Sequence, residues 1–270
     1  MEQKENNEYY IFDTHAHYND EKYEGILEDI LKEGYKNGVR KIVNVGCDIE
    51  SSNQSISLAR NYNVFYAAVG LHPEMMGLEI SKLENEYVKL KNILKNRTKE
   101  DKILAIGEIG LDYHYTKENK EVQREYFLKQ LELANLNKLP VIIHCRDAAE
   151  DMYEILKGYK GMEGKIVFHC FQPNEKIAKL IKDNNYMVGL GGSITYNMNE
   201  KNIEIIRSMP NENIIFETDC PYLSPTSCRG KLNKSQNIKY VLDKLVNIKQ
   251  EEKTSLAKQI YENSLRFFSL

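Results

Sequence analysis

The stretch FDTHAHYND, Phe12–Asp20, sets two histidines one residue apart, with Asp13 two residues ahead of the first and an apolar run just upstream. Two of the chain's six histidines thus fall within three residues. Residues two apart on a β-strand face the same way. His15 and His17 are therefore expected to share one face at the end of a first buried strand, Tyr9–His17.

Working outward, the same kind of run recurs. Apolar, β-branched segments stand at Lys41–Cys47, Val64–Pro73, Ile103–Asp112, Pro140–Asp147, Lys165–Phe171, Tyr186–Gly192 and Ile214–Pro221. Near-continuous apolar strands of this kind suit a parallel sheet covered on both faces. Polar segments of helical character lie between them. In NKEVQREYFLKQLELANLNK, Phe127, Leu131 and Ala134 fall on one helical face. Asp48 with Ser51, and Pro173 or Asn174, are plausible helix starts. The last segment, Ser235–Leu270, reads as two closing helices. Eight strands alternating with helices predict an α/β fold of the (β/α)8 TIM-type barrel class. The alternative is a doubly wound open sheet, which often carries a Gly-rich phosphate loop after its first strand; here that strand ends in DTHAH, without glycine. No linker or repeat interrupts the pattern, so residues 1–270 are expected to form a single barrel domain.

Composition narrows the class. The chain is 41% hydrophobic and 29% charged, ordinary for a globular protein. No run approaches the about 18 apolar residues of a membrane span, and the polar, acidic MEQKENNEYY does not have the pattern of a signal peptide. Five scattered cysteines with no CxxC indicate neither a disulfide framework nor a zinc ribbon, so a cytoplasmic setting is expected. A net charge of −3 argues against coating nucleic acid by bulk charge but leaves room for a local phosphate site.

A barrel carries its chemistry at the C-terminal ends of its strands. At those ends stand His15 and His17, then His72, Glu108, His144, His169 and Asp219. By strand period, His144 and His169 face the barrel while Cys145 and Cys170 face the helices. Glu108 and Asp219 lie in apolar strands and need a compensating cation. Four histidines and two carboxylates converging on one rim are the material of a metal site. Where some two-metal barrels use a carboxylated lysine as the bridge, this chain has Glu108, whose two oxygens can each take one ion.

Seven stretches, in order, resemble the TatD-type metal-dependent deoxyribonucleases of the amidohydrolase-like barrel superfamily: FDTHAHYND, VGLHPE, AIGEIGLDYHY, VQREYFLKQLELANLNKLPVIIHCRDA, FHCF, GGSIT and ETDCPYLSP. The resemblance spans nearly the whole chain. It implies that His15, His17, Glu108 and Asp219 hold one ion and that Glu108, His144 and His169 hold a second. It further implies a deoxyribonuclease of 3′→5′ exonuclease type that uses a metal-activated water, with DNA as partner and two divalent ions as cofactors. Magnesium is expected from the resemblance, zinc or manganese from the imidazole donors. Asp219 would be both ligand and proton acceptor. The same centre can polarise a carbonyl, so a deacylase, esterase or amidase acting on aminoacyl-tRNA or a small substrate is the alternative. The chain is expected to act as a monomer, without a membrane partner. One departure stands out: after RGK the family usually shows Asn-Glu-Pro, where this chain has Asn233-Lys234-Ser235, and substrate preference is what the departure is expected to affect.

Other residues leave two readings open. His72 either contacts substrate phosphate or caps the turn before Pro73, and Arg146 either holds phosphate or pairs with a neighbour such as Asp147. His114 is expected on a loop surface. Tyr113, Tyr115 and Tyr222 stack on bases or merely pack, as most of the 18 tyrosines must. Arg229 and Lys231 form a basic lip or are solvated loop charges.

Overall fold

The computed structural model describes residues 8–114 and 118–270. Tyr115 lies outside the described residues. Eight strands run β1 (Ile11–Ala16), β2 (Val39–Val45), β3 (Phe65–Val69), β4 (Ile103–Asp112), β5 (Val141–Arg146), β6 (Ile166–Phe168), β7 (Met187–Leu190) and β8 (Ile214–Phe216). They pair in sequence order, all parallel. The seam between β8 and β1 closes just beyond β8. There Ala16 bridges to Cys220, the His17 N–H donates to the Cys220 carbonyl at 2.8 Å, and the Asp219 N–H donates to the His15 carbonyl at 2.9 Å. This is the expected (β/α)8 barrel rather than an open sheet.

The connecting helices are α1 (Leu27–Lys36), α2 (Ile49–Asn61), α3 (Ile80–Asn96), α4 (Lys120–Asn137), α5 (Ala149–Leu156), α6 (Glu175–Asn184) and α7 (Glu200–Arg207), followed by α8 (Ile238–Lys249) and α9 (Lys253–Phe268). Their starts follow from capping chemistry. The Asp48 carboxylate accepts the Ser51 N–H at 2.7 Å to begin α2, and Asn174 accepts two backbone N–H groups to begin α6. Each supplies an acceptor for an otherwise orphaned helix donor. Phe127, Leu131 and Ala134 of α4 are all buried, as their spacing requires.

Alternation along the strands sorts side chains into two compartments. Phe12, Val43, Val45, Ala68, Ala105, Ile142, Val167, Met187 and Ile215 fill the barrel interior, while the larger apolar set packs between strands and helices. Phe267 and Phe268 of α9 join the interior cluster, and the Phe268 ring lies 5.6 Å from that of Phe12 near the start of β1. The last helix therefore seals the N-terminal end of the barrel, which leaves the polar groups at the other end. No helix among the described residues is long and apolar enough to cross a membrane.

Phe268→Ala should lower stability in chemical denaturation by about 3–5 kcal/mol, the usual cost of emptying a buried aromatic site. Leu136→Ala, at an exposed position of α4, should stay within about 0.5 kcal/mol of the parent. Equal, small effects at both positions would mean that α9 does not close the barrel.

Candidate metal centre

The rim residues converge on Glu108. Its side chain is nearly sealed from solvent, and four imidazoles surround it. His15 Nε2 stands 3.3 Å from Oε2, whereas His144 Nδ1, His169 Nε2 and His72 Nε2 stand 2.6, 3.6 and 3.7 Å from Oε1. The two carboxylate oxygens thus look toward different histidines. The backbone makes this possible: a side chain on Gly110 would overlap the His144 carbonyl, and one on Gly107 would meet Ile142. Glycine at both positions lets β4 close onto β5 on either side of Glu108.

The other half of the cluster lies at the β1–β8 seam. His15 Nε2 and His17 Nε2 are 3.1 Å apart, and Asp219 Oδ1 is 3.2 Å from His17 Nε2 and 3.8 Å from His15 Nε2. Ligand atoms on one ion, with bonds of about 2.1 Å, lie roughly 3.0–3.5 Å apart at octahedral or tetrahedral angles. The His15–His17, His15–Glu108 and His17–Asp219 pairs have that spacing, and the His15–Asp219 pair is slightly wider at 3.8 Å. The Val45 carbonyl, 2.9 Å from His17 Nδ1, accepts that N–H and leaves Nε2 free for a ligand role.

Charge explains why the cluster asks for cations. Burial opposes ionisation of Glu108, yet the nearby His169, His15 and His72 and the hydrogen bond from His144 hold its carboxyl well below the usual range. Asp219 behaves similarly: burial is outweighed by His17. The carboxylates act back on the rings. Burial disfavours charge on His144 and His169, but Asp112 and Glu108 raise the first to about 9, and Glu217 and Glu108 raise the second to about 10. Among the described residues, His15 Nδ1 is buried without a hydrogen bond, and buried His169 Nδ1 meets the Glu217 carboxylate at 3.1 Å as an ion pair outside hydrogen-bond geometry. Anions sealed among imidazoles, with protons held well above their ordinary affinity, are what a cation-binding donor set looks like when the cation is left out of account.

Two carboxylates missed by sequence reasoning complete the picture. Asp112 Oδ2 lies 2.8 Å from His144 Nε2, and Gln123 of α4 donates to the Asp112 carbonyl while accepting its N–H. Glu217 Oε1 lies 3.1 Å from His169 Nδ1 and accepts the Cys170 N–H at 2.5 Å. Each of the two later histidines therefore has a carboxylate on its outer nitrogen, an arrangement that fixes ring orientation and raises ligand basicity. For Asp112 the signal was present, since it follows Glu108 by four residues within β4, a spacing that keeps a strand face; Glu217 lies just beyond β8, where strand period no longer applies. Ligand atoms of His72, Glu108 and His144, and those of His15, His169 and Glu217, also lie close enough to form candidate groups. The His15 and His169 rings are stacked at 3.6 Å, however. Imidazole lone pairs lie in the ring plane, so an ion between stacked rings would sit off both planes, and Glu217 is better read as the support of His169.

The open alternatives resolve unevenly. His72 does cap the turn before Pro73: its Nδ1 accepts the Glu74 N–H at 3.2 Å, and burial lowers its pKa to about 4. A neutral ring that accepts at Nδ1 carries its proton on Nε2, the atom that faces Glu108. His72 thus offers the centre a donor rather than a lone pair. Arg146 is half-buried at the end of β5, and its charge helps lower the pKa of Asp112. His114 is exposed and meets Asp147 at 2.9 Å, as a loop-surface residue would. Tyr113 is buried with its hydroxyl on Asp151, which removes it as a stacking surface, whereas Tyr222 is exposed 6.2 Å from the His17 ring. Arg229 lies over the Tyr196 ring at 5.2 Å. Cys145 packs on the outer layer as expected. Cys170 does not follow the strand phase: β6 ends at Phe168, Cys170 has a left-handed backbone (φ 44°), and its thiol points to Ser193 beyond β7.

A parallel barrel with histidines and carboxylates gathered at its C-terminal rim defines a class, the metal-dependent hydrolases. A family model for TatD related DNase matches residues 12–269, and the chain belongs to the TatD family of metal-dependent hydrolases. It is 35% identical over 262 residues to YabD of Bacillus subtilis, an uncharacterized metal-dependent hydrolase, covering 96% of this chain and 99% of that protein. It is 30% identical over 260 residues to YjjV of Escherichia coli, also an uncharacterized metal-dependent hydrolase, covering 96% and 98%. Among solved structures, that of YjjV, a TatD homolog, superposes with a TM-score of 0.88 over 96% of this chain and 98% of that one.

A methyl group at Gly189 of β7 would overlap the Glu217 carboxylate, which is fixed by the Cys170 N–H. Gly189→Ala should therefore cost about 1–3 kcal/mol in chemical denaturation, as overpacking does. In the Gly189→Ala, Glu217→Ala double variant, most of that cost should vanish. A full, additive penalty in the double variant would show that Glu217 is not what occupies the space.

Proposed function

We propose that this hydrolase is a two-metal phosphodiesterase acting on DNA. The observation that carries the reading is the position of Glu108: Oε2 faces His15 while Oε1 faces His144, His169 and His72, an arrangement that suits a carboxylate shared between two ions. His15, His17, Glu108 and Asp219 would hold the first ion, and Glu108, His144 and His169 the second. Divalent ions held there supply Lewis acidity, acidifying a water and neutralising charge on a phosphoryl group. Imidazole donors suit zinc or manganese, and the family likeness leaves magnesium beside them.

The chain's own groups have distinct parts. Asp219, at the mouth, is charged and only slightly exposed, so it can take the proton of an attacking water. His72, neutral and carrying its proton on Nε2, donates a hydrogen bond to a phosphate oxygen. Arg146, two residues beyond His144, pairs with a phosphate on the flank. Beside His169 a cavity of about 350 Å³ opens between the loops after β5 and β6, edged by Phe171, Gln172 and Asn174, with room for part of the substrate. The likeness to a DNase family model is what turns this phosphoryl chemistry toward DNA.

Two variants and one assay test the reading. With 3′-labelled single-stranded DNA and a D-aminoacyl ester as parallel substrates, the protein should release nucleotides from the DNA and leave the ester intact. Glu108→Ala should hold less than half the metal of the parent and show no hydrolysis; full metal content would remove it as the bridge. Asp219→Asn should lower kcat by about two to four orders of magnitude with little change in KM. Near-normal turnover at saturating metal would exclude Asp219 from the chemical step.

A further inference from the structure

Asp13 has no place in the mechanism above, yet it is completely buried and heavily bonded. Its side chain leaves the barrel wall on the side opposite the interior cluster. Oδ1 accepts the backbone N–H of Thr218 at 3.0 Å and, more loosely, that of His15 at 3.3 Å. Oδ2 accepts the hydroxyls of Thr218 at 2.6 Å and Ser235 at 2.7 Å. One residue on β1, Thr14, separates Asp13 from His15, and Thr218 immediately precedes Asp219. One carboxyl therefore spans the seam between the two strands that supply the first set of proposed ligands.

The corner it grips is a demanding one. Asp219 has a left-handed backbone (φ 56°), a conformation uncommon for a residue with a side chain and held only where the surroundings fix it. The surroundings here come from the loop before α8. Asn233 is fully buried and donates to the carbonyls of Thr218 at 3.0 Å and Tyr222 at 2.6 Å, the residues flanking the corner. Ser235 donates its hydroxyl to Asp13 and its N–H to the Tyr18 hydroxyl. Asn233-Lys234-Ser235 is the stretch where the chain departs from the family pattern. Asn233 and Ser235 lie buried behind the seam, and Lys234 between them turns outward to pair with Glu33.

We propose that Asp13, backed by Ser235, is a positioning residue of the metal centre, which sets His15 and His17 against Asp219 and so tunes the first ion site and not the second. The inference rests on the ligand assignment proposed above. It also relocates the effect of the sequence departure from substrate preference to metal affinity.

The experiment is calorimetric titration of chelator-stripped protein with Mn²⁺, alongside the melting temperature of the metal-free form. The parent should bind two ions. Ser235→Ala and Asp13→Asn should melt within about 4 °C of the parent, and each should lose about 10–100-fold affinity at one site while the other is unchanged, the range for support groups behind ligands. His144→Ala should weaken the other site, so that its combination with Ser235→Ala weakens both. Tyr18→Phe, which removes a hydroxyl that touches Ser235 but not Asp13, should leave both affinities intact. Unchanged Mn²⁺ affinities in Ser235→Ala and Asp13→Asn would overturn the proposal and leave the network a structural one, whatever the melting temperatures. Equal loss at both sites would overturn it in favour of general loosening. A parent that binds no Mn²⁺, Zn²⁺ or Mg²⁺ would overturn the ligand assignment itself, and this inference with it.

Discussion

A carboxylate sealed inside a protein must be given positive charge or give up its own. Glu108 is such a group, and much of the fold is arranged around its answer. Glycines on either side of it let β4 press against β5. Four histidines from β1, β5 and the loops after β3 and β6 bring ring nitrogens to its two oxygens. Behind two of those rings stand further carboxylates, Asp112 and Glu217, which themselves accept the His114 and Cys170 N–H groups. The negative charge is layered, and the His144 and His169 rings lie between the layers. Protons raise His144 and His169 toward that charge; divalent ions would satisfy it more completely.

The rest of the barrel keeps this polar end apart from an apolar one. Strand alternation fills the interior with Val, Ile, Ala and Phe, and α9 lays Phe267 and Phe268 across the opening near the strand starts. The polar groups gather at the other end, where Asp219 is only slightly exposed and Tyr222 is half-exposed beside the His17 ring.

Most of this architecture is legible in the sequence because its signals are periodic and local. Ile103–Asp112 has the same limits as run and as strand, and β1, β5 and β7 differ from their apolar runs by a residue or two at each end. The longer runs at β3, β6 and β8 overreach, since the chain leaves the ladder at Val69, Phe168 and Phe216 while apolar residues continue into buried loops. Cys170 shows the same limit: the period argument fails one residue after the strand does, where φ turns positive. The histidines were readable because each stands at a strand end. Asp13 and Ser235 were not readable as a pair, since only the closed barrel brings them together, and a two-residue period cannot say which of several carboxylates points at a ring and which points away from it.

The seam itself has a consequence for how the molecule comes into being. The Ser235 hydroxyl and the Asp13 carboxylate are 222 positions apart along the chain, and the corner between them carries one end of the candidate centre. During synthesis the first strand must wait, with its histidines exposed, until nearly the whole polypeptide has left the ribosome. Pairings of such long range are slow to form. The wall against which His15 and His17 are set is therefore complete only once the chain has been made through Ser235.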